Sequence, residues 1–260
     1  MSVASIYRWR EGKLEALDYC DMTDTVIEAA DSWLVTDGTA LGLDLHRTRF
    51  LTSIARERYA QLDPIAFWDA AIALIPREGD WFPRVELQSR AGAPLLVFRL
   101  RSAPELGRSV VVATWTGEDP RTVPSIKGPD LETMIGIRTS VQAAGAAEAV
   151  ILSPDGYVVE GTSAALLWWR GEILCGPPDE FDRVDSVTAR SVLTLAAALG
   201  IETHQEAVTP AELDGLELWA LNALHGIRIV RSWVGGPRLA EHPGRLSTWR
   251  ARMKALRNAI

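Results

Sequence analysis

Tight turns cut this chain into short segments, and their placement limits the possible folds more than any other feature. Asp37-Gly38 separates Ser32–Thr36 from Ala40–Leu43, and an Asp-Gly pair between apolar runs predicts a two-residue hairpin. Glu11-Gly12 predicts a hairpin between residues 5–9 and 14–17, and Arg90-Ala-Gly-Ala93 one between Trp81–Ser89 and Pro94–Arg101. Asp155-Gly156 joins Glu148–Leu152 to Tyr157–Glu160, and Arg170-Gly171 joins Ala165–Trp169 to Glu172–Leu174. Further strands are expected at Val110–Thr114, Glu202–Val208, Leu218–Leu221 and Ile227–Trp233. Helical spacing lies between them. Asp44 starts one helix that runs to about Tyr59, with Leu45, Phe50, Ile54 and Ala55 toward the core. Asp63-Pro64 opens a second, ending near Ile75. Others cover Asp130–Ala144, Val187–Leu199 (capped by Ser186, stopped by Gly200), a short piece from Pro210, and Gly244–Ile260. Hairpins interleaved with helices specify an α+β architecture with mixed sheets.

The polar, proline-containing stretch Thr116–Pro124 is the best linker in the chain. It divides the sequence into a small N-terminal α/β domain (1–117), a linker (118–125) and a larger C-terminal domain (126–260). A net charge of -7 carries no basic footprint for nucleic acid. The N-terminus lacks the apolar core of a signal peptide, and apolar runs such as Ala164–Trp169 are too short to span a bilayer, so a cytoplasmic, non-membrane protein is expected. Cys20 and Cys175 form neither a disulfide framework nor a zinc-ligand spacing. Ten tryptophans require burial or an interface.

Lysine is scarce: of the 27 basic residues only Lys13, Lys127 and Lys254 are lysines. Lys127 sits in Pro124-Ser-Ile-Lys-Gly-Pro129, an apolar, proline-rich setting beside the linker. Desolvation lowers a lysine's pKa and favours Schiff-base chemistry. Glu160 ends a strand after two valines, where a carboxylate could keep a pyridine nitrogen protonated. Ser186-Val187-Thr188 at a helix start offers backbone N–H groups and a hydroxyl to a phosphate. Arg49, on the first long helix, could add a charge-assisted contact. Asn222-Ala223-Leu224-His225-Gly226, between two strands, suits close backbone approach. Read singly, each has an ordinary alternative: a solvated loop lysine, an edge-strand glutamate, a plain helix cap, a solvated arginine, a surface loop. Four scattered histidines without a nucleophile motif exclude a triad, and neither P-loop nor Rossmann glycine patterns occur.

In their order and spacing these segments resemble the class IV aminotransferase family, from about Ala30 to Val230. The family's H-x-x-R-[LF] after a hairpin Asp-Gly is matched by His46-Arg-Thr-Arg49-Phe50, and I-K-x-x-[ND] by Ile126-Lys127-Gly-Pro-Asp130. Its E-A-[LV] strand matches Glu148-Ala-Val150, D-G-x-V-x-E-G-T matches Asp155-Gly-Tyr-Val-Val-Glu160-Gly-Thr162, and the G-[IV]-T-R turn matches Ser186-Val187-Thr188-Ala189. The chain departs from the pattern at Ala165, where asparagine is usual, at Ala189, where arginine is usual although Arg190 follows, and at Ser186 in place of glycine.

The resemblance implies a two-domain fold-type IV enzyme, like the D-amino acid and branched-chain aminotransferases, with pyridoxal 5'-phosphate (PLP) between the domains. It implies that Lys127 holds PLP and acts as catalytic base, that Glu160 faces the ring nitrogen, and that Arg49, Val187 and Thr188 bind the phosphate. Asn222 and Ala223 would lie near phosphate and substrate, and Ser32, aligned with a usual threonine, would relay a proton. The Asn222-Ala-Leu loop and the absence of a Y-x-x-G-x-R signature favour the aminodeoxychorismate lyase branch, which turns 4-amino-4-deoxychorismate into 4-aminobenzoate and pyruvate. The alternatives are an aminotransferase for branched-chain or D-amino acids and a catalytically degenerate PLP-binding paralogue. A homodimer acting on a small-molecule amine is also implied.

Overall fold

The computed structural model describes residues 4–17, 25–56, 59 and 62–260. Cys20 and residues 57–58 of the expected first helix lie outside them. In chain order the elements are β1 (Ala4–Arg10), β2 (Lys13–Leu17), β3 (Thr25–Ser32), β4 (Val35–Thr36), β5 (Thr39–Leu41), α1 (Leu43–Arg56), α2 (Pro64–Ala73), β6 (Asp80–Trp81), β7 (Arg84–Arg90) and β8 (Ala93–Arg101). They continue with β9 (Ser109–Thr114), α3 (Leu131–Ser140), β10 (Glu148–Leu152), β11 (Val158–Gly161), β12 (Ala165–Arg170), β13 (Ile173–Gly176), α4 (Val187–Ala198), β14 (Thr203–Gln205), β15 (Glu217–Asn222), β16 (Gly226–Val234), α5 (Arg245–Ala255) and β17 (Arg257–Ala259). The α+β class with mixed sheets is as expected.

Two compact units result. The first comprises Met1–Leu106, Ile126–Pro129 and Leu256–Ile260. It holds a five-stranded sheet ordered β2-β1-β8-β7-β3 and a four-stranded sheet ordered β17-β5-β4-β6. Its turns follow local chemistry: Glu11-Gly12, Asp37-Gly38 and Ala91-Gly92 all carry positive φ at both residues, the twist that tight hairpins need. Asp63 caps α2 through the Ala66 N–H at 3.2 Å. Phe50 of α1 packs on Phe67 and Trp68 of α2, and Trp68 packs on Trp33 with ring centroids 4.8 Å apart. Burying side chains of this size contributes roughly 1.5–3 kcal/mol each.

The second unit comprises Gly107–Ser125 and Asp130–Ala255. Its eight-stranded sheet runs β11-β10-β9-β16-β15-β12-β13-β14. β9 pairs in parallel with both β10 and β16, and the apolar run of β12 is buried on both faces, as parallel-containing sheets require. Val110, Val112, Val150, Leu166, Trp168 and Val230 share one apolar cluster, while Met134 and Ile137 of α3 cover Ala149 and Ile151. Trp169, Trp219 and Trp249 meet with centroids 5.4–5.7 Å apart. Seven of the ten tryptophans are buried, so the core itself accounts for most of them.

Several elements differ from expectation. The first unit ends at Leu106 rather than at 117, because β9 pairs with strands of the second unit, and residues 126–129 return to the first. Ser32 belongs to β3, a strand the hairpin reading passed over, which pairs with β7. Asp44 lies inside the first turn of α1, Leu45 is half-buried, Ala55 is exposed, and His46 is buried instead. The C-terminal helix stops at Ala255, and Arg257–Ala259 pair antiparallel with β5. No helix among the described residues is long and apolar enough to cross a membrane.

Candidate functional site

In the first unit, the end of β3 organises the basic residues. Asp31 is fully buried and its carboxylate accepts from Arg49 Nε at 2.8 Å, Arg49 Nη2 at 2.8 Å and the Ser32 N–H at 2.7 Å, with His46 Nδ1 also 2.7 Å away. Burial alone would raise the Asp31 pKa, but the charges and hydrogen bonds of Arg49 and His46 outweigh it and hold the carboxyl well below the usual range. His46 and Arg49, three residues apart on α1, share one face, and Asp31 is the anion that face needs. One residue earlier, the Ala30 N–H donates to the Lys127 carbonyl at 2.6 Å. β3 thus fixes both the backbone at Lys127 and the guanidinium of Arg49. The loop after Lys127 lies so close that a Cβ on Gly128 would sit 2.7 Å from Ala30 N. Lys127 itself is half-buried, whereas Lys254 is exposed on α5.

In the second unit, Glu160 is buried at the end of β11. It accepts from Arg121 Nη1, and the Val184 N–H favours its charged form. Burial pushes its carboxyl up to about 7, against the opposing pull of Arg121, the Val184 N–H and Arg183. Val184 lies two residues before Ser186, which caps α4 through the Ala189 N–H at 3.3 Å. Ser186 therefore occupies the Ala189 donor, while the N–H groups of Val187 and Thr188 belong to the first turn and have no acceptor within the helix. A buried carboxylate and an anion-favouring helix start consequently adjoin one loop.

The turn after Glu160 is clamped from two sides. Glu148 of β10, almost fully buried, accepts from Thr162 Oγ1, from the Ser163 N–H at 2.7 Å and from Ser163 Oγ at 2.6 Å. Arg228 Nη2 lies 3.6 Å behind it. On the other side Asn222 Nδ2 donates to the Ser163 carbonyl at 3.3 Å, while Asn222 Oδ1 accepts the His225 N–H at 2.9 Å. Both ends of the Asn222 amide are thus engaged in shaping loops. His225 Nδ1 accepts the Gly107 N–H at 3.1 Å; burial, then Arg228, Arg250 and Arg138, pull its pKa down to about 4, which fits an acceptor and not a base.

The residues expected from sequence fall into two groups. Ser32, Arg49 and Lys127 lie in the first unit; Glu160, Val187, Thr188, Asn222 and Ala223 lie in the second. Arg190 does not replace the arginine missing at Ala189, since its guanidinium is exposed beside Asp185 at 3.6 Å. Asp31, Asp119 and Arg121 were passed over by sequence reasoning, and Glu148 and Asp130 were seen only as motif letters. Asp31 carried no local signal, since it meets His46 and Arg49 only once β3 and α1 have packed. Asp130 stands at the N-cap of α3 yet accepts from the Thr122 N–H and hydroxyl at 2.8 Å and the Val123 N–H at 3.0 Å, tying down the presumed linker.

These donors suit a phosphorylated pyridine. Within the second unit, the open N–H groups at the start of α4 suit an anion such as a phosphate, and a carboxyl raised by burial can share a proton with a ring nitrogen.

The model of the class IV amino-transferase family matches residues 28–233. A probable branched-chain-amino-acid aminotransferase of Synechocystis is 28% identical over 110 residues, which is 41% of this chain and 36% of that relative. The branched-chain-amino-acid aminotransferase of Escherichia coli is 25% identical over 113 residues, 43% of this chain and 37% of its own. The chain therefore spans little more than a third of these curated relatives. Among solved structures, a hypothetical aminotransferase of Mycobacterium tuberculosis in apo form superposes with a TM-score of 0.82 at 19% identity, covering 98% of each chain. A fold IV transaminase of Curtobacterium pusillum gives 0.81 at 15% identity, covering 97% of each. At such identities the likeness establishes the fold, which is fold-type IV.

Proposed function

The chain belongs to the class IV aminotransferase family, whose enzymes use PLP, and from that premise we propose that Lys127 carries the cofactor and the Glu160 region of the second unit holds its ring and phosphate. The observation that carries this reading is the buried Glu160 carboxylate, bonded by Arg121 and stabilised in its charged form by the Val184 N–H, two residues before the Ser186 cap of α4. When bound, PLP supplies an aldehyde that captures primary amines and a ring that accepts electrons from the bond broken beside that nitrogen. Lys127 Nζ takes the proton from the carbon bearing the amine and returns one later. Glu160 holds the ring nitrogen, while Arg49, the N–H groups of Val187 and Thr188, and the Thr188 hydroxyl hold the phosphate. Asp31 keeps Arg49 in position through two hydrogen bonds. Asn222 orients the Ser163 and His225 backbones, with Ala223 between them in the loop.

Transamination between an amino acid and a 2-oxo acid is the first reading. The curated relatives are named branched-chain aminotransferases, and a similar solved structure carries α-ketoglutarate with PMP. A second reading, the aminodeoxychorismate lyase reaction with Ser32 as proton relay, is favoured by Asn222-Ala223-Leu224 and by the missing Y-x-x-G-x-R signature. A homodimer is proposed for either, and light scattering tests it.

Borohydride treatment of PLP-loaded protein followed by peptide mapping tests the core of the reading: label on Lys127, absent in Lys127→Ala, is expected, and label elsewhere or none sinks it. Amino-donor panels with 2-oxoglutarate or pyruvate then separate transamination from 4-aminobenzoate release. Silence in both, with Lys127 still labelled, favours a PLP-binding protein without turnover.

A further inference from the structure

We infer that Arg121, locked by Asp119, is a positioning residue that fixes the orientation and charge of the Glu160 carboxylate for the cofactor's ring nitrogen. This rests on the reading that Glu160 faces that nitrogen. The Arg121 side chain is almost fully buried, 5% exposed. Its Nε donates to Asp119 Oδ1 at 2.9 Å and Oδ2 at 3.1 Å, its Nη2 to Oδ2 at 2.6 Å, and its backbone N–H to Oδ1 at 3.1 Å. That grip leaves Nη1 directed at Glu160. A guanidinium held on one edge can present the other in only one direction.

The next two residues are held as firmly, since Asp130 accepts from Thr122 and Val123. Residues 119–123, which read as a linker, are therefore built as a fixed support. The groups acting on Glu160 are Arg121 from this support, and the Val184 N–H and Arg183 from the loop before α4. Arg183 is itself bonded to the carbonyls of Pro177, Pro178 and Phe181 and to Asp179, so Arg121 supplies the guanidinium hydrogen bond. The charges of Asp119, Arg121 and ionised Glu160 leave one negative charge, which a protonated ring nitrogen would balance. Without Arg121, two carboxylates would share the site and burial would favour the neutral form of Glu160.

The test follows Glu160 by carbon NMR of glutamate-labelled, cofactor-free chain, its signal identified by loss in Glu160→Gln. The expected result is a titration midpoint raised by at least about one pH unit in Arg121→Gln, and by less in Arg121→Lys, whose ammonium keeps charge without the fork. The PLP-loaded variants should shift the pH profile of their visible absorption in the same order. An unmoved midpoint in an Arg121→Gln chain with wild-type circular dichroism overturns the inference. So does a moved midpoint with an unchanged absorption profile. Should Arg121→Gln not fold, Arg121→Lys is judged by the same two criteria. A wild-type chain that fixes no PLP on Lys127 overturns the functional reading beneath it, and does so before any change at Arg121.

Discussion

Replacing Gly128 by alanine should both destabilise the chain and misplace Lys127. Gly128 has φ of +136°, a conformation L side chains rarely adopt. An added Cβ would meet Ala30 N at 2.7 Å, the Ala29 carbonyl carbon at 2.8 Å and Ala29 Cα at 2.9 Å. All three are backbone atoms of β3, so no rotamer change relieves them. Reaching the 3.4 Å of ordinary contact parts the two segments by about 0.7 Å. The hydrogen bond from Ala30 to the Lys127 carbonyl, 2.6 Å long, spans that gap and would lengthen with it. Backbone strain of about 1–3 kcal/mol and overpacking of about 1–3 kcal/mol together give roughly 2–6 kcal/mol. At about 2–4 °C per kcal/mol for a chain of this size, Tm should fall by at least about 4 °C. Differential scanning calorimetry measures that loss, and borohydride labelling at Lys127 should drop with it. A Gly128→Ala chain with wild-type Tm and wild-type labelling would refute the reasoning.

Asp31→Asn should cost about 3–5 kcal/mol in urea unfolding, since it leaves Arg49 and His46 without their buried anion. The folded pKa of Asp31 is depressed, so its stabilisation is present above the ordinary carboxylate pKa and lost as pH falls toward the folded one; the variant should lack that acid-induced loss. Glu160 has the opposite sign. Its pKa rises from 4.5 to about 7 on folding, so its contribution is full below 4.5 and fades as pH climbs through 7, by up to about 3 kcal/mol in the cofactor-free chain. Glu160→Gln should flatten stability across that window, and an unchanged slope would show another group responsible. Glu148→Gln should destabilise by about 3 kcal/mol in the same urea assay, because it leaves buried Arg228 unbalanced and loosens the Thr162-Ser163 turn; a loss under about 0.5 kcal/mol would contradict the clamp.

What local chemistry dictates was readable without a structure. The hairpins at Glu11-Gly12 and Asp37-Gly38, the Asp63 cap on α2 and the Ser186 cap on α4 depend on neighbours within a few residues, and each formed. The scarcity of lysine singled out Lys127, and the motif spacing identified the family. Partnerships across the chain were not readable. β17 finds β5 more than 200 residues away, Asp31 meets Arg49 only once β3 and α1 have packed, and Arg121 reaches Glu160 across 39 residues. A turn or a cap is decided by the φ preferences and side-chain reach of adjacent residues. A buried ion pair is decided by which strands are brought together and by the cost of leaving either charge alone there, and that information exists only in the folded chain.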